Sequence, residues 1–251
     1  MKATMKVIIN PSFNHLSEWI ENIPSSFNQL GDLFYNQRNT IRIATAPDGT
    51  KICIKRYRQP IFINRIIYSL FRQPKAQRAY QNAFILQSKN INTPTPIAYI
   101  ICKKNGLIGY SYLLTEHSPL KHCMTEFGEC NMTGNEYILK SFAEFTAQLH
   151  EKEILHLDYS PGNILFDIQN HTVTFSIIDI NRMTFAPVDM QSGCKNLCRL
   201  WGSSEMLRFI AHHYAIARNF DSAKCEQLTL DYWHRFWEKR KYKQHMFSNY
   251  D

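Results

Sequence analysis

Acidic side chains are absent from a long reach of this chain: between Asp48 and Glu116 there is no Asp or Glu. The same reach holds eleven Lys and Arg, from Lys51 to Lys104. Such a field attracts phosphates, anionic lipid heads or nucleic acid, and charge alone does not choose among them. Long apolar runs are also missing. The greasiest stretch, Ile61 to Phe71, is broken by Asn64 and Arg65, which excludes a bilayer-spanning helix. The opening MKATMKVIINPSF has too short an apolar run for a secretory leader. The seven cysteines, at 53, 102, 123, 130, 194, 198 and 225, are odd in number and scattered. Only Cys194 and Cys198 are close together, and no second His or Cys pair stands near them to complete a zinc site. Reduced thiols in a cytoplasm are the simplest reading. No internal repeat or low-complexity tract is present.

What is there suffices for a large core. Of 251 residues, 44% are apolar and 13% aromatic, which excludes wholesale disorder and a disulfide-stapled mini-protein. The length fits one domain, or two lobes sharing a cleft. A short amphipathic piece, roughly Leu16 to Glu21, is closed by Pro24. Period-two alternation over Thr40–Thr45 and Lys51–Tyr57, around Pro47-Asp48-Gly49, predicts a β-hairpin. A helix is predicted from about Gln73 to Lys89, stopped by Thr93-Pro94-Thr95-Pro96. Strands Ile97–Cys102 and Tyr110–Thr115 flank the turn at Asn105-Gly106. After a connector at Glu116 to Pro119 the pattern turns helical. Thr133 and Glu136 have capping-box spacing, and Ile138, Phe142, Phe145 and Leu149 follow at helical period. Two short strands, Ile164–Asp167 and Val173–Asp179, precede a helical remainder that ends with Tyr232, Trp233, Phe236 and Trp237 on one face. The expected organisation is a β-rich lobe over 1–117, including an N-terminal extension, and a helical lobe over 118–251.

The segment from His156 to Phe166 carries the chemistry. It has the form H-x-D-x-x-x-x-N, with Asp158 and Asn163, followed by an apolar strand. Sixteen residues after Asn163, a second strand ends at Asp179. An Asn and an Asp so placed can put two oxygen ligands on one Mg²⁺. Asp158 would then face an acceptor hydroxyl, and Lys55 would reach ATP phosphates from the hairpin. Phosphoryl transfer needs such parts because the protein mainly positions groups and neutralises charge.

With these residues in place, the chain resembles the protein-kinase-like superfamily, and within it the lipopolysaccharide kinases that phosphorylate Kdo or heptose of the inner core. The likeness runs through Arg38-Asn39-Thr40-Ile41, Lys75 to Tyr80, Thr93 to Pro96, Leu149-His150, the His156–Leu165 loop and Asp179-Ile180-Asn181-Arg182. It implies an α+β, bilobal protein-kinase-like fold: a small antiparallel sheet with one helix, then a mostly helical lobe. It implies ATP and Mg²⁺ as cofactors, Asp158 as catalytic base, Asn163 and Asp179 as metal ligands, and Lys55 on the α- and β-phosphates. Cys53 would line the adenine pocket, Glu116 at the connector would join the nucleotide contacts, and His156 would tie the loop to the metal-binding segment.

Departures accompany the likeness. No glycine occurs between Gly31 and Gly49, so phosphate cover falls to backbone amides near Asn36–Asn39 or to Arg38. The helix glutamate that usually pairs with the strand lysine is missing. Gln81, in the matching turn, offers a hydrogen bond to Lys55 but no charge. No A-P-E segment follows Asp179, which argues against a peptide-docking loop. His150, His212 and His213 lack ligand spacing and read as satisfied core or surface histidines. The expectation is a kinase acting on a sugar hydroxyl of lipopolysaccharide core or another anionic sugar, cytoplasmic or peripheral on the inner face of the inner membrane, against an anionic membrane surface. The rivals are a pseudokinase scaffold and a kinase for protein or another small molecule. No nucleic-acid module is recognisable, so no nucleic-acid partner is expected.

Overall fold

The computed structural model describes residues 3–59, 73–128 and 132–248, with side chains as far as Arg240. The apolar stretch Ile61–Phe71, Cys130 and two of the eleven cations, Arg65 and Arg72, lie outside the described residues. The chain divides into two compact units, Met1–Pro119 and Leu120–Asp251.

The first unit is built on a six-stranded antiparallel sheet. Its strands are β1 (Ala3–Ile9), β2 (Asp32–Asn36), β3 (Thr40–Thr45), β4 (Lys51–Tyr57), β5 (Pro96–Lys104) and β6 (Leu107–Glu116), in the order β1-β5-β6-β4-β3-β2. The β3–β4 hairpin forms where the alternation predicts it, with Ile43 opposite Cys53 and Ile41 opposite Lys55. At its turn Asp48 Oδ1 accepts the Thr50 N–H at 2.9 Å, and Asp48 Oδ2 meets His15 Nε2 at 2.8 Å. These bonds, the one to His15 first, lower the Asp48 pKa to about 2.

One face of the sheet buries Ile52, Ile54, Ile97, Ile100 and Leu114 against Leu16, Ile20, Ile23 and Phe27. The last three lie in or just after α1 (Ser17–Ser26). Sequence reading closes this piece at Pro24, yet the helix runs through Pro24 to Ser26. Burying Ile20, Ile23 and Phe27, at about 1.5–3 kcal/mol for each large apolar side chain, outweighs the bond that proline removes. The unit therefore has a second helix beside the expected one, α2 (Lys75–Ser88). Ala76, Ala79, Tyr80, Ala83 and Leu86 form the buried stripe of α2, and the Tyr80 ring meets Tyr99 edge-on at 5.2 Å.

Both outer strands escape the sequence reading. β2 is exposed along its whole length, and β1 turns only Val7 and Ile9 toward the core, too short a pattern to mark a strand. Backbone pairing holds them: β1 runs in continuous register against β5, from Ala3–Lys104 to Ile9–Ala98. Ahead of β2, Gly31 has φ +46°, and a β-carbon there would lie 2.0 Å from the Ile43 carbonyl oxygen. Only glycine lets the chain enter β2 so close to β3.

The second unit contains α3 (Glu136–Glu151), α4 (Met190–Asn196), α5 (Ser204–Ala217) and α6 (Ser222–Ser248). Two small antiparallel sheets accompany them. One has β7 (His122–Cys123), β9 (Ile164–Gln169) and β10 (Thr172–Ile177) in the order β10-β9-β7, and the other pairs β8 (Ile154–His156) with β11 (Met183–Phe185). The helix does not open at Thr133, where the capping-box spacing would start it. A turn through Met132–Asn135, with Gly134 at φ +85°, delays the helix, so Asn135 is the N-cap and Glu136 the first helical residue. The box geometry occurs instead at Cys123 and Glu126, which open a short 3-10 turn, Met124–Phe127. On α3, Ile138, Phe142 and Leu149 are buried and Phe145 is half-buried. Phe142 stacks on Tyr159, and Phe145 stacks on Phe175. Tyr232, Trp233, Phe236 and Trp237 are half-buried on α6. No helix among the described residues is long and apolar enough to cross a membrane.

Candidate active site

The loop from β8 to β9 is anchored at His156, which is only 1% exposed. Its Nδ1 accepts the Asp158 backbone N–H at 3.0 Å, so Nε2 carries the proton and donates to the Ile178 carbonyl at 3.0 Å. Burial lowers the His156 pKa and keeps the ring neutral, as this pairing requires. The expected tie between this loop and the segment that ends at Asp179 is thus a single imidazole bridging Asp158 and Ile178. Asn196, from α4, donates its Nδ2 to the His156 carbonyl at 2.9 Å.

Downstream the loop closes on itself. Ser160 N–H donates to the Asp158 carbonyl at 2.8 Å, and Pro161 opens a one-turn 3-10 helix ending at Asn163. Tyr159 is fully buried beneath, its hydroxyl 2.9 Å from Thr146 Oγ1. Asn163 gives its Nδ2 to the Asp158 carbonyl at 2.8 Å and to Ser160 Oγ at 3.2 Å, which turns its amide oxygen the other way. Its backbone carbonyl accepts the Ile178 N–H at 2.9 Å, and that bond sets Asp179 next to it. Asp179 has left-handed backbone, φ +54°, and Asn181 Nδ2 donates to its Oδ1 at 2.6 Å. The Asp158 carboxylate is two-thirds buried and pairs with Arg199, Nη1 to Oδ1 at 2.9 Å.

In the first unit, Cys53 and Lys55 stand two apart on one face of β4, opposite to the face of Ile52 and Ile54. Lys55 Nζ lies 5.3 Å from the centre of the Tyr57 ring. Burial pushes the Cys53 thiol up, and the Lys55 charge partly offsets the shift. Arg38 is exposed in the bend between β2 and β3, where Asn36 Oδ1 accepts from Thr40 and Asn39 Oδ1 accepts from the Arg58 N–H. Glu116 ends β6, its N–H bonded to the Thr95 carbonyl at 2.9 Å. Gln81 needs correction. It is exposed on the side of α2 away from the Ala76–Leu86 stripe, and the structure does not bring it to Lys55. Packing of small alanines and Tyr80 sets the helix phase, and that phase turns position 81 outward.

Three contributors escaped sequence reading: Arg199, Asn196 and the Asn181 clamp. Arg199 and Asn196 lie some forty residues beyond the loop they touch, and their one signal is an amide and a guanidinium set around the apolar Leu197-Cys198. His150 behaves as the satisfied core histidine expected. It meets Tyr214 Oη at 2.9 Å and Asn196 Oδ1 at 3.2 Å, and burial lowers its pKa to about 4. His212 pairs with Glu226 at 3.0 Å.

The donor set suits a hard cation. An amide oxygen from Asn163 and a carboxylate from Asp179 are the kind of sparse oxygen ligation Mg²⁺ accepts when phosphates complete its shell. Beside them Asn181 Oδ1, in a residue 6% exposed, has no donor among the described residues, so a buried acceptor is left for a cation or its water. Among the described residues no cluster of three or more His, Cys, Asp or Glu could hold a metal alone.

The lipopolysaccharide kinase (Kdo/WaaP) family matches residues 35–238, a stretch that takes in Arg38, the β3–β4 hairpin, the catalytic-type loop and Asp179. The chain belongs to this family. A solved structure of WaaP in complex with acyl carrier protein superposes with a TM-score of 0.63 at 15% identity, over 93% of this chain and 98% of that one. Amicoumacin kinase hAmiN, solved with AMP-PNP, Ca²⁺ and Ami, gives a TM-score of 0.50 at 8% identity, over 87% and 77%. No curated protein matches the sequence. The α+β, protein-kinase-like fold expected of a lipopolysaccharide kinase is the fold observed, with an antiparallel sheet in one unit and a helical second unit. In this lipopolysaccharide kinase family member Asn181 follows Asp179 and Ile180, and its amide grips the Asp179 carboxylate.

Proposed function

We propose that this protein transfers a phosphoryl group from ATP to a sugar hydroxyl of the lipopolysaccharide inner core, Kdo or heptose. The observation that carries the reading is the bonding that ties Asn163 both to the Asp158 backbone and to the residue before Asp179: Asn163 Nδ2 to the Asp158 carbonyl, and Asn163 carbonyl to the Ile178 N–H. Bound MgATP supplies the electrophilic γ-phosphorus and the charge that holds its oxygens. Asp158 accepts the proton of the attacking hydroxyl at Oδ2, since Oδ1 is committed to Arg199. Asn163 Oδ1 and the Asp179 carboxylate hold the cation. Lys55 neutralises charge on the α- and β-phosphates, Cys53 and Glu116 border the adenine, and the amides and Arg38 of the β2–β3 bend cover the phosphates. In this reading residues 1–117 handle nucleotide and 118–251 handle acceptor and metal, with the protein peripheral at the inner face of the inner membrane.

The test is ATP turnover with Mg²⁺, with and without Kdo–lipid A, for wild type and Asp158→Ala. The expected result is acceptor-dependent transfer that falls at least about a hundredfold in the variant. A second reading, a pseudokinase, draws on Gln81, which stands exposed on α2 where the likeness calls for a glutamate. Equal silence of wild type and variant, with MgATP bound by both, would select it.

A further inference from the structure

Arg199 ends a 3-10 turn, Leu197–Arg199, and the segment after it is fixed. Leu200 is buried at 2%, and its carbonyl accepts the Trp233 indole N–H at 2.9 Å. The Arg199 guanidinium lies over the Phe236 ring, 5.2 Å from its centre, with one nitrogen on Asp158. A planar cation stacked on a ring and bonded at one corner is well oriented. Its other N–H groups have no acceptor among the described residues, and the side chain keeps 29% of its surface exposed.

Two residues on, Trp201 is 44% exposed, a large aromatic left open to solvent. Its ring lies against Gly128, where an added β-carbon would come within 3.4 Å of Cε3. Gly128 ends the 3-10 turn Met124–Phe127, and that turn borders the loop that carries Asp158. Thr125 Cγ2 would lie 3.8 Å from a β-carbon at Gly162, and Cys123 Sγ donates to the Pro161 carbonyl at 3.3 Å. Leu157, next to Asp158, is 40% exposed. An oriented cation and an open indole therefore flank the same loop.

We propose that Arg199 and Trp201 form the acceptor subsite, taking a sugar that carries a carboxylate or phosphate near the hydroxyl to be phosphorylated. This rests on the transfer reading above. Arg199 binds the anionic substituent through the free corner of its fork while its Nη1 keeps Asp158 turned toward the hydroxyl. Without that cation an anionic sugar would meet the Asp158 carboxylate as a like charge. Trp201 gives the ring a face: the apolar side of a pyranose packs on indole, and the polar edge is left for hydrogen bonds.

The experiment is steady-state kinetics with MgATP and Kdo–lipid A micelles for Arg199→Gln, Arg199→Lys, Trp201→Ala and Trp201→Phe. Arg199→Gln is expected to raise KM for the acceptor about tenfold or more and leave KM for ATP in place. Arg199→Lys recovers kcat, because an ammonium still reaches Asp158, but not the acceptor KM, because the fork is gone. Trp201→Ala loses about tenfold, mainly in acceptor KM, and Trp201→Phe restores most of it. Two modified acceptors separate the anions: one with its lipid A phosphates removed, one with its Kdo carboxylates amidated. The acceptor on which Arg199→Gln no longer matters identifies the group bound. A loss in kcat alone, with acceptor KM unchanged in Arg199→Gln and Trp201→Ala, overturns the subsite and leaves Arg199 a positioning residue for Asp158. If wild type transfers nothing, the transfer reading fails separately. Equilibrium binding of Kdo–lipid A to wild type and to the double variant Arg199→Gln/Trp201→Ala then decides the subsite, equal binding rejecting it.

Discussion

Left-handed backbone at a residue with a β-carbon costs on the order of 1 kcal/mol or more, and Asp179 sits there at φ +54°. Asn181 makes the conformation useful by donating to Asp179 Oδ1 at 2.6 Å, which fixes the orientation of the carboxylate. Removing that grip in Asn181→Ala should raise the Mg²⁺ concentration for half-maximal transfer about tenfold or more, since partners of ligating carboxylates carry effects of that size. A Mg²⁺ titration at saturating ATP measures it, and an unchanged midpoint would reject the role. At this scale the sequence was most readable where chemistry and chain coincide. Asp158, Asn163 and Asp179 lie within twenty-two residues, and hydrogen bonds between near neighbours hold them. Arg199 was invisible because its partner stands 41 residues away and nothing local marks a surface arginine as the one that meets Asp158.

Between the helices of the second unit, Gly193 on α4 imposes a tight constraint. A β-carbon there would lie 2.0 Å from the Tyr214 hydroxyl of α5, which itself bonds His150 of α3. Gly193→Ala should destabilise the fold by roughly 2–3 kcal/mol through overpacking. Urea denaturation reads the loss, and Tyr214→Phe in the same chain should return part of it, a non-additivity expected only if the two side chains collide. The same junction dictates a response to acid. His150 has a folded pKa of about 4, below its ordinary 6.5, so between those values the unfolded chain binds more protons. Stability should be full above pH 6.5 and fall by about 3 kcal/mol as the pH drops toward 4, and His150→Gln should flatten that slope. Sequence reading found elements with a buried stripe, such as α2, α3 and the β3–β4 hairpin. It missed β1 and β2, edge strands held by backbone pairing: β2 has no buried face, and β1 offers only Val7 and Ile9 to the core.

Charge is distributed unevenly over the whole molecule. Residues 1–119 carry fifteen Lys and Arg against five Asp and Glu, and residues 120–251 carry fourteen against sixteen. An anionic surface should therefore be met by the first unit, at about 1 kcal/mol for each well-placed cation. Vesicles rich in anionic lipid should sediment the protein at low salt and release it at about 0.5 M, where screening is nearly complete, and zwitterionic vesicles should not sediment it. Equal sedimentation on both would reject an electrostatic contact. On the acidic side of this division, the indole of Trp233 holds the Leu200 carbonyl from halfway along a 27-residue helix. A library of variants selected only for transfer to a modified acceptor would enrich changes at 233 as well as at 199 and 201. With the sugar seated as proposed on Arg199 and Trp201, specificity can drift through a residue that never meets it, and ancestry could rewrite the acceptor while every contacting side chain stays the same.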